Sequence, residues 1–192
     1  MAYAYVGGAE NSDGSGSAVG TISVTYTSTL HNLLRVIVSR TANVTIAMTD
    51  GGVGNTFTAE QSDIGTAGNQ LMRTYYCKDC KAGSTTFLAT FGANTQYPVI
   101  RVEEYSGLDV TAPFIAAAGA ENVAPGTVAN AISSGNINVS SAPAMLVGTT
   151  LTEDVSVGNV VTDTAFTRRT QVFSFFGYPA GGIGDRRLTA TN

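Results

Sequence analysis

The chain carries one histidine and two cysteines among its 192 residues, so nucleophilic or metal chemistry has few groups to draw on. A hydrolytic triad needs an imidazole held by a carboxylate and touching a Ser or Cys nucleophile. The one imidazole is His31, in Ser28-Thr29-Leu30-His31-Asn32, a polar turn ahead of an apolar run, and no G-x-S-x-G nucleophile elbow occurs. His31 therefore reads as a solvated loop residue. A closed four-ligand Cys/His zinc site is beyond what one copy can assemble. The cysteines form a single C-x-x-C in Tyr75-Tyr76-Cys77-Lys78-Asp79-Cys80-Lys81. A thioredoxin-like motif would head a helix, whereas Leu71 to Tyr76 alternates like a strand and Lys81-Ala82-Gly83-Ser84 reads as the turn after it. Three readings stay open: a local disulfide between Cys77 and Cys80, two unpaired thiols, or a metal half-site shared between copies.

The remaining polar candidates are weaker. Asn11-Ser12-Asp13-Gly14-Ser15-Gly16 is similar to the start of an acidic calcium loop but lacks the later bidentate Glu, and Thr49-Asp50-Gly51 is equally a turn. Calcium is therefore a minor option, and no cofactor is expected. Glu103 and Glu104 are neighbours in a strand and face opposite sides, a poor acid/base pair. Glu153-Asp154 reads as a solvated loop tip. Tyr75 and Tyr76 likewise point apart and cannot share a flat sugar platform; Tyr97, Tyr105 and Tyr178 fit loops or strand ends. Arg168-Arg169 and Arg186-Arg187 are the only basic doublets, and an interface role is expected for at least one of these four arginines. No catalytic residue is assigned.

The elements that would position these groups are strands. Thr21 to Thr27 alternates cleanly, with Ile22, Val24 and Tyr26 on one side and hydroxyls on the other. Leu33 to Ser39 is nearly continuous apolar sequence broken by Arg35, the pattern of a central strand covered on both faces. Further strand signals are Val44 to Met48, Thr56 to Thr58, Thr85 to Phe91 before a turn at Gly92-Ala93-Asn94, and Pro98 to Tyr105 before Ser106-Gly107. Ala144 to Leu151, Thr167 to Phe173 and Arg186 to Ala190 complete the series. Ser12 to Ser17 reads as a flexible connection, and Ala116 to Ala120 as a loop. Many short strands without a convincing helix predict an all-β protein, a single antiparallel β-sandwich domain over residues 1–192. Charged residues are 12% against roughly a quarter in an average soluble domain. The net charge of −4 offers no basic footprint for nucleic acid, and no apolar run is long enough to span a bilayer. MAYAYVGGAE has neither a basic nor an apolar signal-peptide region, so synthesis in the cytoplasm is expected.

Several segments in order carry a resemblance. These are Asn32 to Val38, Thr49-Asp50 with Gly54-Asn55-Thr56-Phe57, Tyr75-Tyr76, Ala82 to Thr86, Val102 to Asp109, and Phe166-Thr167-Arg168-Arg169. Together they resemble a family of jelly-roll or concanavalin-like β-sandwich domains found in tailed-phage structural proteins and bacterial surface proteins. The resemblance implies a jelly-roll-like sandwich in a virion or surface context, with no activity attached. Two departures stand out. The cysteines replace non-cysteine residues, and such domains finish with one more apolar strand after the segment matching Asp185 to Ala190, leaving an edge for a neighbouring chain to cover. The expected function is a non-enzymatic structural protein of a phage virion, a capsid decoration or tail-associated subunit that touches other virion proteins and copies of itself. The alternative is a carbohydrate-binding or adhesion module for cell-surface glycans.

Overall fold

The computed structural model describes residues 3–65, 71–113, 117–118, 144–152, 167–172 and 180–188. Among them the protein is all-β. Its strands are β1 (Ala4–Ser12), β2 (Val19–Ser28), β3 (Leu33–Arg40), β4 (Ile46–Thr49), β5 (Thr58–Ala59), β6 (Ile64–Gly65), β7 (Leu71–Cys77), β8 (Gly83–Thr95), β9 (Val99–Ser106), β10 (Ala144–Thr152), β11 (Thr167–Val172) and β12 (Ala180–Leu188).

The alternation in β2 becomes one-sided burial: Ile22 and Val24 are buried while Thr21, Thr25 and Thr27 are exposed. β3, apolar on both sides, is buried from Leu34 to Arg40. A strand buried on both faces needs a partner on each edge and a layer on each side. β3 has β9 and β7 as antiparallel partners, in a six-stranded sheet ordered β1-β9-β3-β7-β5 with β6 also on β7. The facing sheet is β2-β8-β4. The chain changes sheet from β1 to β2, back to β3, across to β4, and again around β7, β8 and β9. That interleaving makes the antiparallel sandwich a jelly roll. Its core lies between the sheets, where Ile22, Val24, Leu34, Val36, Val38, Phe87, Ile100 and Val102 meet and Phe57 packs edge-on against Phe87 with ring centroids 6.0 Å apart.

A third sheet, β10-β12-β11, shares no ladder with the other two among the described residues. Val147 of β10 and Ile64 of β6 pack against the Ile37–Met72 cluster. Ile37 and Met72 alternate with core residues of β3 and β7, so this cluster forms on the outer side of the six-stranded sheet.

Several elements differ from the sequence expectation. β1 was not expected, because Gly7-Gly8 and the polar Glu10-Asn11-Ser12 break an apolar alternation; it forms by pairing with β9. The connection after it is tied down: Asp13 N donates to Pro98 O at 3.0 Å and Ser15 N to the Asp13 carboxylate at 2.9 Å. Gly92-Ala93-Asn94 is no turn, since β8 runs through it to Thr95, with an irregularity where β2 advances from Val19 to Thr21. The turn after β7 ends sooner than expected, because Gly83 and Ser84 already belong to β8. β12 begins six residues before Arg186, in glycine-rich sequence that reads as loop, and lies between β10 and β11. Ala116, Gly119, Ala120, Glu153, Asp154 and Tyr178 lie outside the described residues.

Gly8 shows how tightly β1 seats. A Cβ there would stand 2.6 Å from the Val102 carbonyl oxygen, a backbone atom that cannot swing away. Gly8→Ala is expected to lower unfolding free energy by roughly 1–3 kcal/mol. Gly14→Ala, where a Cβ meets nothing within 4 Å, should stay within about 0.5 kcal/mol of the parent. Urea unfolding of the two variants measures the difference.

Candidate functional site

The residues singled out for chemistry fall in several separate places. His31 stands in the β2–β3 turn at φ 67°, and its Nδ1 lies 2.6 Å from Asp79 Oδ1 of the C-x-x-C turn. Both side chains are about half exposed or more, at 66% and 49%, so the pair contributes little to stability. The two turns are stitched by backbone: His31 N donates to Cys80 O at 2.9 Å and Cys80 N to Asn32 O at 2.8 Å. The nearby sulfur does not complete a nucleophilic dyad. The Cys80 thiol is fully buried and donates to the Thr29 carbonyl at 3.0 Å, away from solvent.

Both cysteines are free thiols in the structure. Cys77 Sγ lies 3.5 Å from Asn55 Oδ1. Burial pushes both thiols up, Cys80 to about 12 and against the partial offset of the Asn32 backbone contact. A thiol held protonated is a poor nucleophile and a poor metal ligand.

The calcium candidates are used internally. Asp50 accepts from the backbone N–H groups of Gly52, Gly54 and Asn55 at 3.3, 3.1 and 2.7 Å. Burial alone would raise its pKa, and those three donors outweigh it and hold the carboxyl below its ordinary value. Its own carbonyl accepts the Thr85 hydroxyl, so the residue fixes the β4–β5 loop. Asp13 closes a turn on Ser15, while Asn11 reaches away to the Ser23 carbonyl at 2.8 Å. No group of three or more His, Cys, Asp or Glu side chains converges among the described residues. The backbone sets Arg168 and Arg169 at the irregularity where β11 advances from Arg168 to Thr170 along β12. Arg186 and Arg187 stand on β12, opposite Leu146 and Met145. The side chains of these four arginines lie outside the described residues.

The largest polar constellation went unrecognised in the sequence. It crosses the outer side of the six-stranded sheet as alternating charges. Glu10 Oε2 on β1 meets Arg101 Nη1 at 2.6 Å, and Arg101 Nε meets Glu103 Oε1 at 3.1 Å, both on β9. Glu103 Oε2 faces Arg35 Nη1 of β3 at 3.9 Å, and Arg35 Nε meets Glu60 Oε1 at 3.0 Å. Glu10 sits opposite Arg101 in the β1–β9 register, and Arg35 opposite Glu103 in the β3–β9 register. Tyr105 adds its hydroxyl to Glu103 at 3.2 Å, and Arg35 Nη1 donates to Thr149 Oγ1 of β10 at 2.5 Å. Arg35, Arg101 and Glu103 are all buried. Burial by itself would lower the Arg35 pKa, and the Glu60 and Glu103 carboxylates carry it above its ordinary value; Glu103 and Glu10 do the same for Arg101.

Glu104 points the other way, into the sandwich. There it accepts from Tyr26 OH at 2.7 Å, Thr29 N at 2.8 Å and Asn32 Nδ2 at 2.6 Å. Desolvation, followed by this carboxylate, pushes the Tyr26 phenol well up. The two neighbouring glutamates thus face opposite sides, and both serve anchoring contacts. What remains exposed is the outer side of β2-β8-β4, where Thr21, Thr25, Thr27, Ser84, Thr86, Thr90, Ala47 and Thr49 present hydroxyls and methyls without charge.

Removing Arg35 would leave Glu60 and Glu103 facing a buried gap. Arg35→Ala is expected to destabilise the fold by about 3–5 kcal/mol, read by urea unfolding. For the thiols, alkylation in native buffer should be slow at both Cys77 and Cys80, with two thiols per chain reacting once the protein is unfolded. Their folded pKa values lie above the unfolded 9.0. The associated stability is therefore complete below pH 9 and falls as pH rises through the folded values. Rapid native labelling, or fewer than two thiols after unfolding without reductant, would contradict this. Compared with known proteins, the chain matches no family model, and searches of curated proteins and of solved structures returned no match to it.

Proposed function

We propose that the chain is a non-enzymatic structural subunit of a phage virion, a capsid-decorating or tail-associated protein that works through contacts with other virion proteins and with copies of itself. The observation that carries this reading is the outer side of β2-β8-β4. Its exposed positions are uncharged, Thr, Ser and Ala with Gly92 and Asn94 near the end of β8, and the Thr25 and Thr86 hydroxyls lie 3.4 Å apart across the strands. Such a face meets an identical neighbour without like-charge repulsion, and symmetry multiplies individually weak contacts into firm attachment. The charges that would oppose close packing are consumed elsewhere, in the Glu10-Arg101-Glu103-Arg35-Glu60 row. Jelly rolls serve both as capsid and as lectin scaffolds, so the scaffold alone does not select between them. Glycan adhesion is the second reading, favoured by the same hydroxyls. A sugar platform also wants an exposed aromatic ring; Tyr75 and Tyr105 are buried, and Tyr76 and Tyr97 are half-buried.

Incubation with capsids and with tails purified from the virus whose genome encodes the chain, followed by sedimentation, tests the proposal. Saturable co-sedimentation with one of them is expected, weakened about tenfold or more by the double substitution Thr25→Arg, Thr86→Arg. Failure to sediment with any virion part, alongside retention on a glycan array, would move the assignment to the second reading.

A further inference from the structure

We propose that Lys81 and Asn55 join covalently: the Lys81 amine attacks the Asn55 side-chain amide and leaves an Nζ–Cγ amide bond between the β7–β8 turn and the β4–β5 loop. Asn55 is held as an electrophile. Its Oδ1 accepts from the Lys81 backbone N–H at 2.9 Å and from the Cys77 thiol at 3.5 Å. Two donors on one carbonyl oxygen draw electrons from its carbon and stabilise the oxyanion that forms on attack. Cys77 keeps its proton for this, since burial pushes the thiol up. On the other side of the amide, Nδ2 is buried and makes no hydrogen bond among the described residues. It still stands close enough to Asp50 to help hold that carboxyl below its ordinary value. A buried amide nitrogen without a proper acceptor is unfavourable, and its departure as ammonia relieves that.

The residue that polarises the carbonyl also brings the nucleophile. Lys81 is clamped through its backbone, with its N–H on Asn55 and its carbonyl accepting the Ser28 hydroxyl at 2.7 Å. Its side chain folds back over the β4–β5 loop, so that a Cβ added at Gly54 would stand 2.8 Å from Nζ. Gly54 directly precedes Asn55 and has no side chain to hold the amine off. Nζ itself enters no hydrogen bond or ion pair among the described residues. An amine and an amide fixed in neighbouring positions react as parts of one molecule, at a high effective concentration.

Asp50 is the proton carrier. Its carboxylate bonds Gly54 N at 3.1 Å and Asn55 N at 2.7 Å, beneath the reacting groups. The step balances without a co-reactant. Nζ, as the neutral amine, forms the bond to Cγ; Asp50 takes a proton from Nζ and returns it to Nδ2. The Cγ–Nδ2 bond then breaks, ammonia leaves, and nothing is oxidised or reduced. The product cross-braces the end of the sandwich where the β2–β3 turn is already pinned to Cys80. The link does not depend on what the chain attaches to.

The mass of the purified full chain, denatured after prolonged incubation at mildly alkaline pH, tests it. The parent is expected to weigh one ammonia less than its sequence, and Lys81→Arg, which keeps the exposed charge, to have its full sequence mass. Trypsin is expected to release from the parent a branched peptide that joins residues 41–73 to residues 79–101, uncut after Lys81. A parent at full mass overturns the proposal. So does a loss of ammonia that persists in Lys81→Arg, as cyclisation of Asn55 onto its own backbone would give, or one without the branched peptide. A linked chain that sediments with no virion part would leave the cross-link standing and overturn the structural-subunit role; an unlinked chain that does sediment would do the reverse.

Discussion

A guanidinium in the middle of a strand buried on both faces has to be matched by carboxylates or expelled, and the arrangement around Arg35 follows from that constraint. Desolvating the cation costs several kcal/mol, so acids must approach it from the strands or loops beside β3. Glu103 comes from β9 on one side and Glu60 from the segment after β5 on the other. Glu103 then lies between two arginines, and Arg101 brings in Glu10 from the edge strand β1. The row ties five residues across strands that are far apart in sequence. It also explains why β1 is held although its own sequence carries few apolar contacts: its register is set by Glu10 against Arg101 and by the close approach at Gly8.

The opposite face of β9 has its own anchor, built on hydrogen bonds instead of ion pairs. The Glu104 carboxylate gathers a phenol, an amide and a backbone N–H from β2, the β2–β3 turn and Asn32. That turn is also pinned through its backbone to Cys80. Donors directed at a carboxylate are among the stronger hydrogen bonds a fold can make. The positive φ at His31 and at Asp79 is therefore held from several directions at once. The exposed His31–Asp79 contact is an accessory to this stitching.

Much of the framework was legible in the chain because it rests on period two. β2 shows it openly, since one side meets the core and the other meets solvent, and β3 shows its double burial as a continuous apolar run. The order of strands was not legible, because pairing partners are set by register between distant segments. The same limit hid the charge row. Arg35 stands out as the lone break in its run, and Arg101 and Glu103 share a side at the i, i+2 spacing, yet nothing local says that Glu10 and Glu60 complete them. β1 and the first half of β12 escaped notice for a different reason. Gly7-Gly8 and Gly181-Gly182 carry the signature of turns, and only tertiary pairing makes strands of them. Gly92 misled in the same way inside β8.

The adjacency of Glu103 and Glu104 has a consequence for how β9 finds its place. Shifting a strand by one residue turns every side chain to the other face. In most strands such a slip trades apolar for polar positions and is penalised by lost burial. Here it would also turn Arg101 and Glu103, which move together, away from Glu10 of β1 and Arg35 of β3, and take Glu104 out of the pocket formed by Tyr26, Thr29 and Asn32. The two acids are chemically alike but their sockets are not interchangeable. β9, the strand that joins the edge of its sheet to the centre, thus carries a built-in error check on its own alignment during folding.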